Sequence, residues 1–176
     1  SEKKGQPTTF YATFAHDPIR LNCELKHVNV VLSPDPNVFR HSNPLAGLEE
    51  GGVFVIPSDL DPADFWMTLP AAARRTIVDR KLRVFTLDAF KIAASEASDA
   101  ELRYRMQGAA FMGAFFATAP LLQQEGLDEA RLYEGIRGQL ARKFGAKGDR
   151  VVEDNLRVIR RGGEALRAVV PVATTE

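Results

Sequence analysis

Three short runs rich in β-branched residues constrain the fold of this chain more than any other feature. They read VNVVL at 28–32, VFVI at 53–56 and VFTL at 84–87. Runs that are apolar throughout are typical of strands buried on both faces of a parallel sheet. Because helical patterns separate these runs, the sequence predicts an α/β fold, a largely parallel, Rossmann-like sheet with helices on both faces.

Length and composition limit the functions that this chain can have. With 176 residues, we expect one domain over residues 1–170 and a tail at 171–176. Lysine plus arginine and aspartate plus glutamate both number 23, so no net field attracts nucleic acid or an anionic membrane. The polar N-terminus has no apolar signal core, and Cys23 is the single cysteine, which together favour a cytoplasmic location.

Residues 98–122 contain the most apolar stretch and predict a central helix. Ser98 and Glu101 have the spacing of a capping box, in which two side chains satisfy free backbone donors at a helix start. From Gly108 onward the stretch is apolar on every side, which predicts burial all round. We also expect the small residues of this stretch to let neighbouring backbones come close, namely Gly108, Ala109, Gly113, Ala114 and Ala117.

Weaker patterns fill in the rest of the chain. Alternating apolar residues predict a strand at 8–15, and Gly51-Gly52 predicts a tight turn. An amphipathic helix is expected between Asp128 and Gly145, and a last helix over 148–170, interrupted at Gly162-Gly163.

Candidate ligand contacts follow from fold geometry, because ligands of parallel α/β sheets lie outside the carboxyl ends of the strands. Those ends carry Ser33, Asp35 and Asn37 after the first run, and Ser58 and Asp59 after the second. Asp88, after the third, is expected to cap a helix. The sequence offers no metal site, since the three histidines do not have the helical spacing of metal ligands.

A basic cluster near the C-terminus allows two interpretations. It consists of Arg157, Arg160 and Arg161. Such a cluster can bind a phosphate or a partner's carboxylates, but it is also what a solvated helix face looks like, and the second interpretation is favoured.

Five segments in order resemble the gamma subunit or gamma domain of the 2-oxoacid:ferredoxin (acceptor) oxidoreductases. They read VNVVL, NPLAGLEEGGVFVI, RVFTLDAFKIA, MQGAAFMGAF and VVEDNLRVIRRGGEAL. Within them, Met112-Gly113, Asn155 and Arg161-Gly162 match family positions. Glu2-Lys3-Lys4-Gly5 resembles the family's Glu-x-Arg-Gly element, with Lys4 in place of the arginine.

Two departures from the family pattern accompany this resemblance. The family domain begins with a strand and a Gly-x-Gly-Gly-x-Gly turn, and the present sequence starts after that unit. Gly108 also stands where many members have asparagine.

The resemblance implies a subunit that is not catalytic alone, in a complex that converts a 2-oxo acid and CoA to acyl-CoA and CO₂. The complex would use thiamine diphosphate, Mg²⁺ and iron–sulfur clusters, held by alpha, beta and delta-type partner subunits that also serve ferredoxin or another acceptor. This chain would line the CoA cavity. The expected cofactor contacts are Glu2, Lys4, Ser33, Asp35, Asn37 and Ser58.

Two alternatives remain open at this point. One is a free-standing CoA- or nucleotide-binding domain with a regulatory role. The other is a module that only bridges subunits of an assembly. No contact with nucleic acid or with a membrane is expected in any of these cases.

Overall fold

A four-stranded, mostly parallel sheet forms the centre of the fold. The computed structural model describes residues 8–14, 17–20, 23–119, 126 and 128–172. The strands are β1 (Val28–Leu32), β2 (Leu48–Pro57), β3 (Arg83–Leu87) and β4 (Arg167–Val169), in the order β1-β2-β3-β4. β1, β2 and β3 are parallel, and β4 is antiparallel to β3. The predicted α/β class is confirmed.

Helices cover both faces of this sheet. The helices are α1 (Pro62–Thr68), α2 (Ala71–Asp79), α3 (Ala89–Glu96), α4 (Leu102–Arg105), α5 (Gln107–Thr118), α6 (Glu129–Phe144) and α7 (Asp149–Glu164). On one face, Phe54 and Ile56 of β2 share a core with α1 and α2. On the other, Val53 and Val55 share a core with α3, α5 and α7. Helix α6 packs outside α7.

Several helix boundaries agree with the sequence patterns. Asp88 caps α3 by accepting a hydrogen bond from the Lys91 amide at 3.0 Å, as predicted. Asp128 caps α6 in the same way through the Arg131 amide, at 2.7 Å. Pro70 separates α1 from α2, because proline cannot continue the hydrogen-bond ladder of a helix interior.

The glycine pair at 51–52 does not form the predicted tight turn. Both glycines lie inside β2, where the pairing with β1 shifts between Val28 and Val30. Gly51 has a positive φ of 73°, and a Cβ at Gly52 would lie 2.8 Å from the Glu49 carbonyl oxygen. The pair therefore makes an irregularity within the ladder, which lengthens β2 at its start.

Two strand predictions also need correction. Residues 8–14 form no strand, because their alternating pattern has no neighbouring strand to pair with, and Phe10 and Phe14 are exposed. Residue 15 lies outside the described residues. β1 is an edge strand and only half-buried, rather than buried on both faces.

The predicted helix over 98–122 begins later and is not buried all round. The Ser98 side chain bonds to Asp154 rather than to the helix start, so there is no capping box. One side of α5 is buried, whereas Gly108 and Met112 are exposed on the other. An apolar sequence alone does not reveal which side of a helix packs against the rest of the chain. Residues 120–122 lie outside the described residues.

The last helix ends at Glu164, and the chain then returns as β4 instead of continuing to 170. Gly162 and Gly163 do not interrupt it. A Cβ at Gly162 would overlap the Ala110 backbone, and one at Gly113 would overlap the Ile159 carbonyl oxygen. The glycines thus allow α5 and α7 to cross at backbone contact, which confirms the expectation for Gly113 and outweighs their low helix propensity.

Candidate functional site

The residues after β1 form a compact turn at the carboxyl edge of the sheet. Ser33 is buried, its amide donates to the Val55 carbonyl at 2.9 Å, and its hydroxyl donates to the Asp35 carbonyl at 3.2 Å. The Asn37 amide donates to the Asp35 carboxylate at 2.8 Å. The structure therefore brings Ser33, Asp35 and Asn37 together, largely through hydrogen bonds within the turn.

His41 joins this turn, although the sequence patterns left it isolated. Its Nε2 lies 2.6 Å from Asp35 Oδ2, and both side chains are partly exposed. The Asn37 amide, and after it His41, lower the pKa of the Asp35 carboxyl below its usual value of 3.8. A spacing of six residues inside a loop is not a helical ligand spacing, so no pattern could have predicted the pair.

Ser58 lies at the end of β2, beside the end of β3. Its amide donates to the Leu87 carbonyl at 3.1 Å, and its hydroxyl accepts from the Leu60 amide at 3.1 Å. Its carbonyl oxygen accepts from Arg167 Nη2 at 2.7 Å. Ser58 thus holds Arg167, from β4, at the same edge of the sheet.

A groove of about 290 Å³ opens where β2 and β3 end. It is lined by Asp59, Asp88, Lys91, Ile92, Ser95, Arg161, Ala165 and Arg167. Ser33, Asp35 and Asn37 are not among the lining residues, and Ser58 contributes through its bond to Arg167. Glu2 and Lys4 lie outside the described residues. The groove is the candidate site, because it lies at the strand ends where α/β folds bind ligands.

Two of the three cations of the groove already have partners in the chain. Arg161 donates to Glu96 at 2.6 Å and to the Ser95 hydroxyl at 3.3 Å, while Arg167 is held by the Ser58 carbonyl. Within the described residues, Lys91 takes part in no ion pair. The Lys91 ammonium is therefore the cation of the groove that is most available to a ligand.

The basic cluster on α7 is used mainly for internal contacts. Arg157 donates to Glu96 at 3.1 Å and also contacts Asp154, and Arg160 lies over the Tyr133 ring at 4.8 Å. The hydrogen bond from Arg161 and the one from Arg157 outweigh partial burial and lower the pKa of the Glu96 carboxyl below 4.5. Arg157 and Arg161 tie α7 to α3, and Arg160 contacts α6, which neither predicted interpretation anticipated.

Lys91 and Arg167 were missed as site residues. The predicted last helix included Arg167, which in fact lies on β4. Lys91 follows Asp88 in the first turn of α3. That this turn lies at the sheet edge depends on tertiary packing, which sequence patterns do not show. The short signal Asp88-x-x-Lys91 at a predicted strand end was the available clue.

A second depression, of about 340 Å³, lies at the opposite edge of the sheet. Arg80 crosses it and donates to the Leu48 carbonyl at 2.9 Å, so its guanidinium is engaged in holding the start of β2. This depression lies at the amino ends of β2 and β3, away from the edge where α/β folds bind ligands. The groove is therefore the better candidate.

The described part of the chain contains neither a candidate cluster of metal ligands nor a candidate membrane-spanning helix. Its histidine, cysteine and acidic side chains form no group of three or more that could hold a metal ion. None of its helices is sufficiently long and apolar to cross a bilayer.

Comparison with known proteins assigns the chain to a family. A protein-family model described as "Pyruvate ferredoxin/flavodoxin oxidoreductase" matches residues 1–165. A pyruvate:ferredoxin oxidoreductase from Moorella thermoacetica is 28% identical over 169 residues, which make up 96% of this chain and 14% of that protein. A putative pyruvate-flavodoxin oxidoreductase from Synechocystis is 25% identical over 159 residues, 90% of this chain and 12% of that protein.

Among solved structures, the pyruvate oxidoreductase subunit PORC from Thermotoga maritima matches with a TM-score of 0.49 and 19% identity. That match covers 81% of this chain and 66% of the other. The present chain spans only a small part of the length of the two curated relatives.

Proposed function

The chain belongs to the pyruvate ferredoxin/flavodoxin oxidoreductase family, and we propose that it is a gamma-type subunit or domain of a 2-oxoacid:acceptor oxidoreductase. Such an enzyme converts a 2-oxo acid and CoA to acyl-CoA and CO₂. The observation that carries the proposal is the family match over residues 1–165. We propose that the gamma-type domain occupies residues 1–170, with a tail at 171–176, and that it works in the cytoplasm.

Other polypeptide segments would supply the redox and thiamine chemistry. A single cysteine, Cys23, cannot ligate an iron–sulfur cluster that needs four thiolates. We therefore assign the iron–sulfur clusters, thiamine diphosphate and Mg²⁺ to alpha, beta and delta-type partners. Ferredoxin or another acceptor would also be bound through those partners.

The groove at the ends of β2 and β3 would form one wall of the CoA cavity. Its volume of about 290 Å³ is just below the range for ligand pockets, which is about 300–1,000 Å³. The groove therefore fits part of CoA rather than the whole molecule. When bound, CoA supplies the thiol that takes up the acyl group.

Residues of this chain would position CoA rather than make or break bonds. The Lys91 ammonium would attract one phosphate, while Asp59 and Asp88 in the same lining disfavour a second anionic group close by. Holding one end of the ligand in place raises the effective concentration of the other end at the reacting centre. Ser33, Asp35, Asn37 and Ser58, with Glu2 and Lys4, remain proposed contacts of the same cofactor.

Purification of the chain together with its partners tests the proposal. We expect it to copurify with thiamine- and cluster-containing chains, and we expect removal of this chain to abolish CoA-dependent oxidation of a 2-oxo acid, followed with a reducible dye. A stable monomer without such partners would contradict the proposal. Equilibrium binding of CoA to that monomer would instead favour the free-standing CoA-binding alternative.

A pair of variants tests the groove separately. Lys91→Gln removes the available cation, so we expect KM for CoA to rise by about tenfold, with kcat little changed, because a phosphate contact is made equally in the ground and transition states. Lys143→Gln, an equivalent change on the exposed side of α6, is the control and should leave both constants unchanged. Equal effects of the two substitutions on KM for CoA would exclude the groove as a contact for CoA.

A further inference from the structure

The outward side of α4 and α5 carries aromatic and sulfur-containing side chains that the described part of the chain leaves uncovered. We define the aromatic stripe by its residues: Phe14, Phe90, Tyr104, Gly108, Met112 and Phe115. Tyr104 is 72% exposed, Phe14 66%, Phe90 45% and Met112 42%. A contiguous patch of exposed aromatic and apolar side chains is typical of protein interaction sites, whereas single exposed apolar residues are common and need no explanation.

Helical spacing and ring contacts make the stripe continuous. Gly108 and Met112 are four residues apart and share one side of α5, and Tyr104 lies four residues before Gly108, on α4. At one end, the Phe90 ring lies 5.3 Å from the Tyr104 ring. At the other end, Phe14 lies 5.6 Å from Phe115, three residues after Met112.

Gly108 lies in the middle of this stripe. Among the described residues, no atom lies within 4 Å of a Cβ built at Gly108, so their packing does not require a glycine there. Glycine is less favourable than alanine inside a helix, and a close approach by another molecule would account for its presence. Gly135 and Gly138 on α6 are equally open, but charged residues surround them in the sequence.

We propose that the aromatic stripe is the surface on which the remainder of the same oxidoreductase docks, with Gly108 at the closest approach. This inference rests on the proposed function. The occupant follows from length, because residues matching this chain make up 14% and 12% of the two curated relatives. A domain with that much additional polypeptide around it needs an apolar contact face, and the stripe is the candidate for that face in the described part of the chain.

The decisive variant is Gly108→Arg, which places a long charged side chain in the middle of the stripe. The monomer should tolerate it, since nothing lies within 4 Å of the new Cβ. Gly135→Arg, on α6, makes the same chemical change at an equally open position and is the matched control. Thermal unfolding of both variants verifies that each chain remains folded.

The tagged full chain is mixed with the purified remainder of its oxidoreductase, and the dissociation constant is measured by biolayer interferometry. We expect Gly108→Arg to weaken the complex by about a hundredfold, as charges in the centre of an interface do. Gly135→Arg should bind like the wild-type chain. Equal binding by all three chains would overturn the proposal.

Two other outcomes have distinct meanings. If the wild-type chain binds no thiamine- or cluster-containing remainder, the proposed function fails, whatever the variants do. Self-association is monitored by light scattering of the chain alone. If Gly108→Arg abolishes only a dimer of this chain and leaves binding of the remainder intact, a second copy covers the stripe and the proposal is wrong.

Discussion

On the side of α5 that faces α7, Gly113 is in backbone contact with Ile159, whereas on the opposite side Gly108 has open space around it. The two glycines are five residues apart in one apolar helix and have similar sequence surroundings. Contacts among the described residues explain the small and apolar residues on the inner side of α5, but not those on its outer side. A uniformly apolar helix can therefore carry one surface for its own fold and a second for a partner.

The largest effect is expected from Gly113→Ala, which would break the inner side. The added Cβ would overlap the Ile159 carbonyl oxygen, which is backbone and cannot rotate away. Separating the two helices to make room should lower the free energy of unfolding by about 3 kcal/mol. Urea denaturation measures the loss. A change below about 0.5 kcal/mol, the range of ordinary surface substitutions, would show that this crossing does not organise the fold.

Asp154→Asn tests the polar contacts of α7, the helix that packs against the inner side of α5. The Asp154 carboxylate is buried and accepts the Ser98 amide at 2.9 Å, the Ser98 hydroxyl and the Arg157 guanidinium. An amide cannot accept at both ends, so one donor loses its partner, at an expected cost of about 2 kcal/mol. Urea denaturation of Glu153→Gln provides the comparison. Glu153 is a half-exposed neighbour on α7 whose ion pair with Arg137 lies at the surface, so this variant should show a smaller loss.

The pH dependence of stability follows from the same group and from Glu96. Burial opposes ionisation of Asp154, but hydrogen bonds from Ser98 and Arg157 prevail and hold the pKa of its carboxyl below the usual 3.8. The pKa of Glu96 is likewise below 4.5. Since both pKa values are lower in the folded state, their stabilising effect is complete above these usual values and is lost as the pH falls through the folded-state pKa values.

Unfolding free energies measured between pH 3 and pH 7 check this expectation. The wild-type chain should be steady near neutrality and weaken below about pH 4.5. Asp154→Asn should show a shallower decline, because this carboxylate no longer titrates, while Glu96 and Asp35, whose pKa values are also lowered, still do. An unchanged slope in that variant would mean that Asp154 does not carry the effect.

The contrast between the two sides also shows how far sequence patterns reach. Strands β1 and β3, the cap at Asp88 and the close crossing at Gly113 were predictable, because local periodicity and residue size encode them. The short strand β4 was not, since three residues after a helix give no period to detect. Its Arg167 reaches the groove only through pairing with β3 and a bond to Ser58, which is information that tertiary structure alone supplies.

For the same reason, the sequence predicted which edge of the sheet carries the candidate site, but not which residues line it. The rule that ligands lie at strand ends led to the edge of the sheet that carries the groove, where Ser58 is found. It did not distinguish Ser33, Asp35 and Asn37, which bond mainly to their own turn, from Lys91, which lines the groove. A sequence pattern predicts which residues follow each strand. Loop geometry determines which of their side chains are already engaged in hydrogen bonds within the chain.

The smallest expected effect comes from Gly108→Ala, and its sign distinguishes the two sides of α5. With no atom within 4 Å of the added Cβ, the change should raise the free energy of unfolding by about 0.5–1 kcal/mol, because alanine loses less backbone entropy in a helix. Gly135→Ala on α6 should do the same in a urea titration. If Gly108→Ala destabilised the isolated chain as Gly113→Ala does, the outer side would also be packed within this chain, and there would be no second surface on the helix.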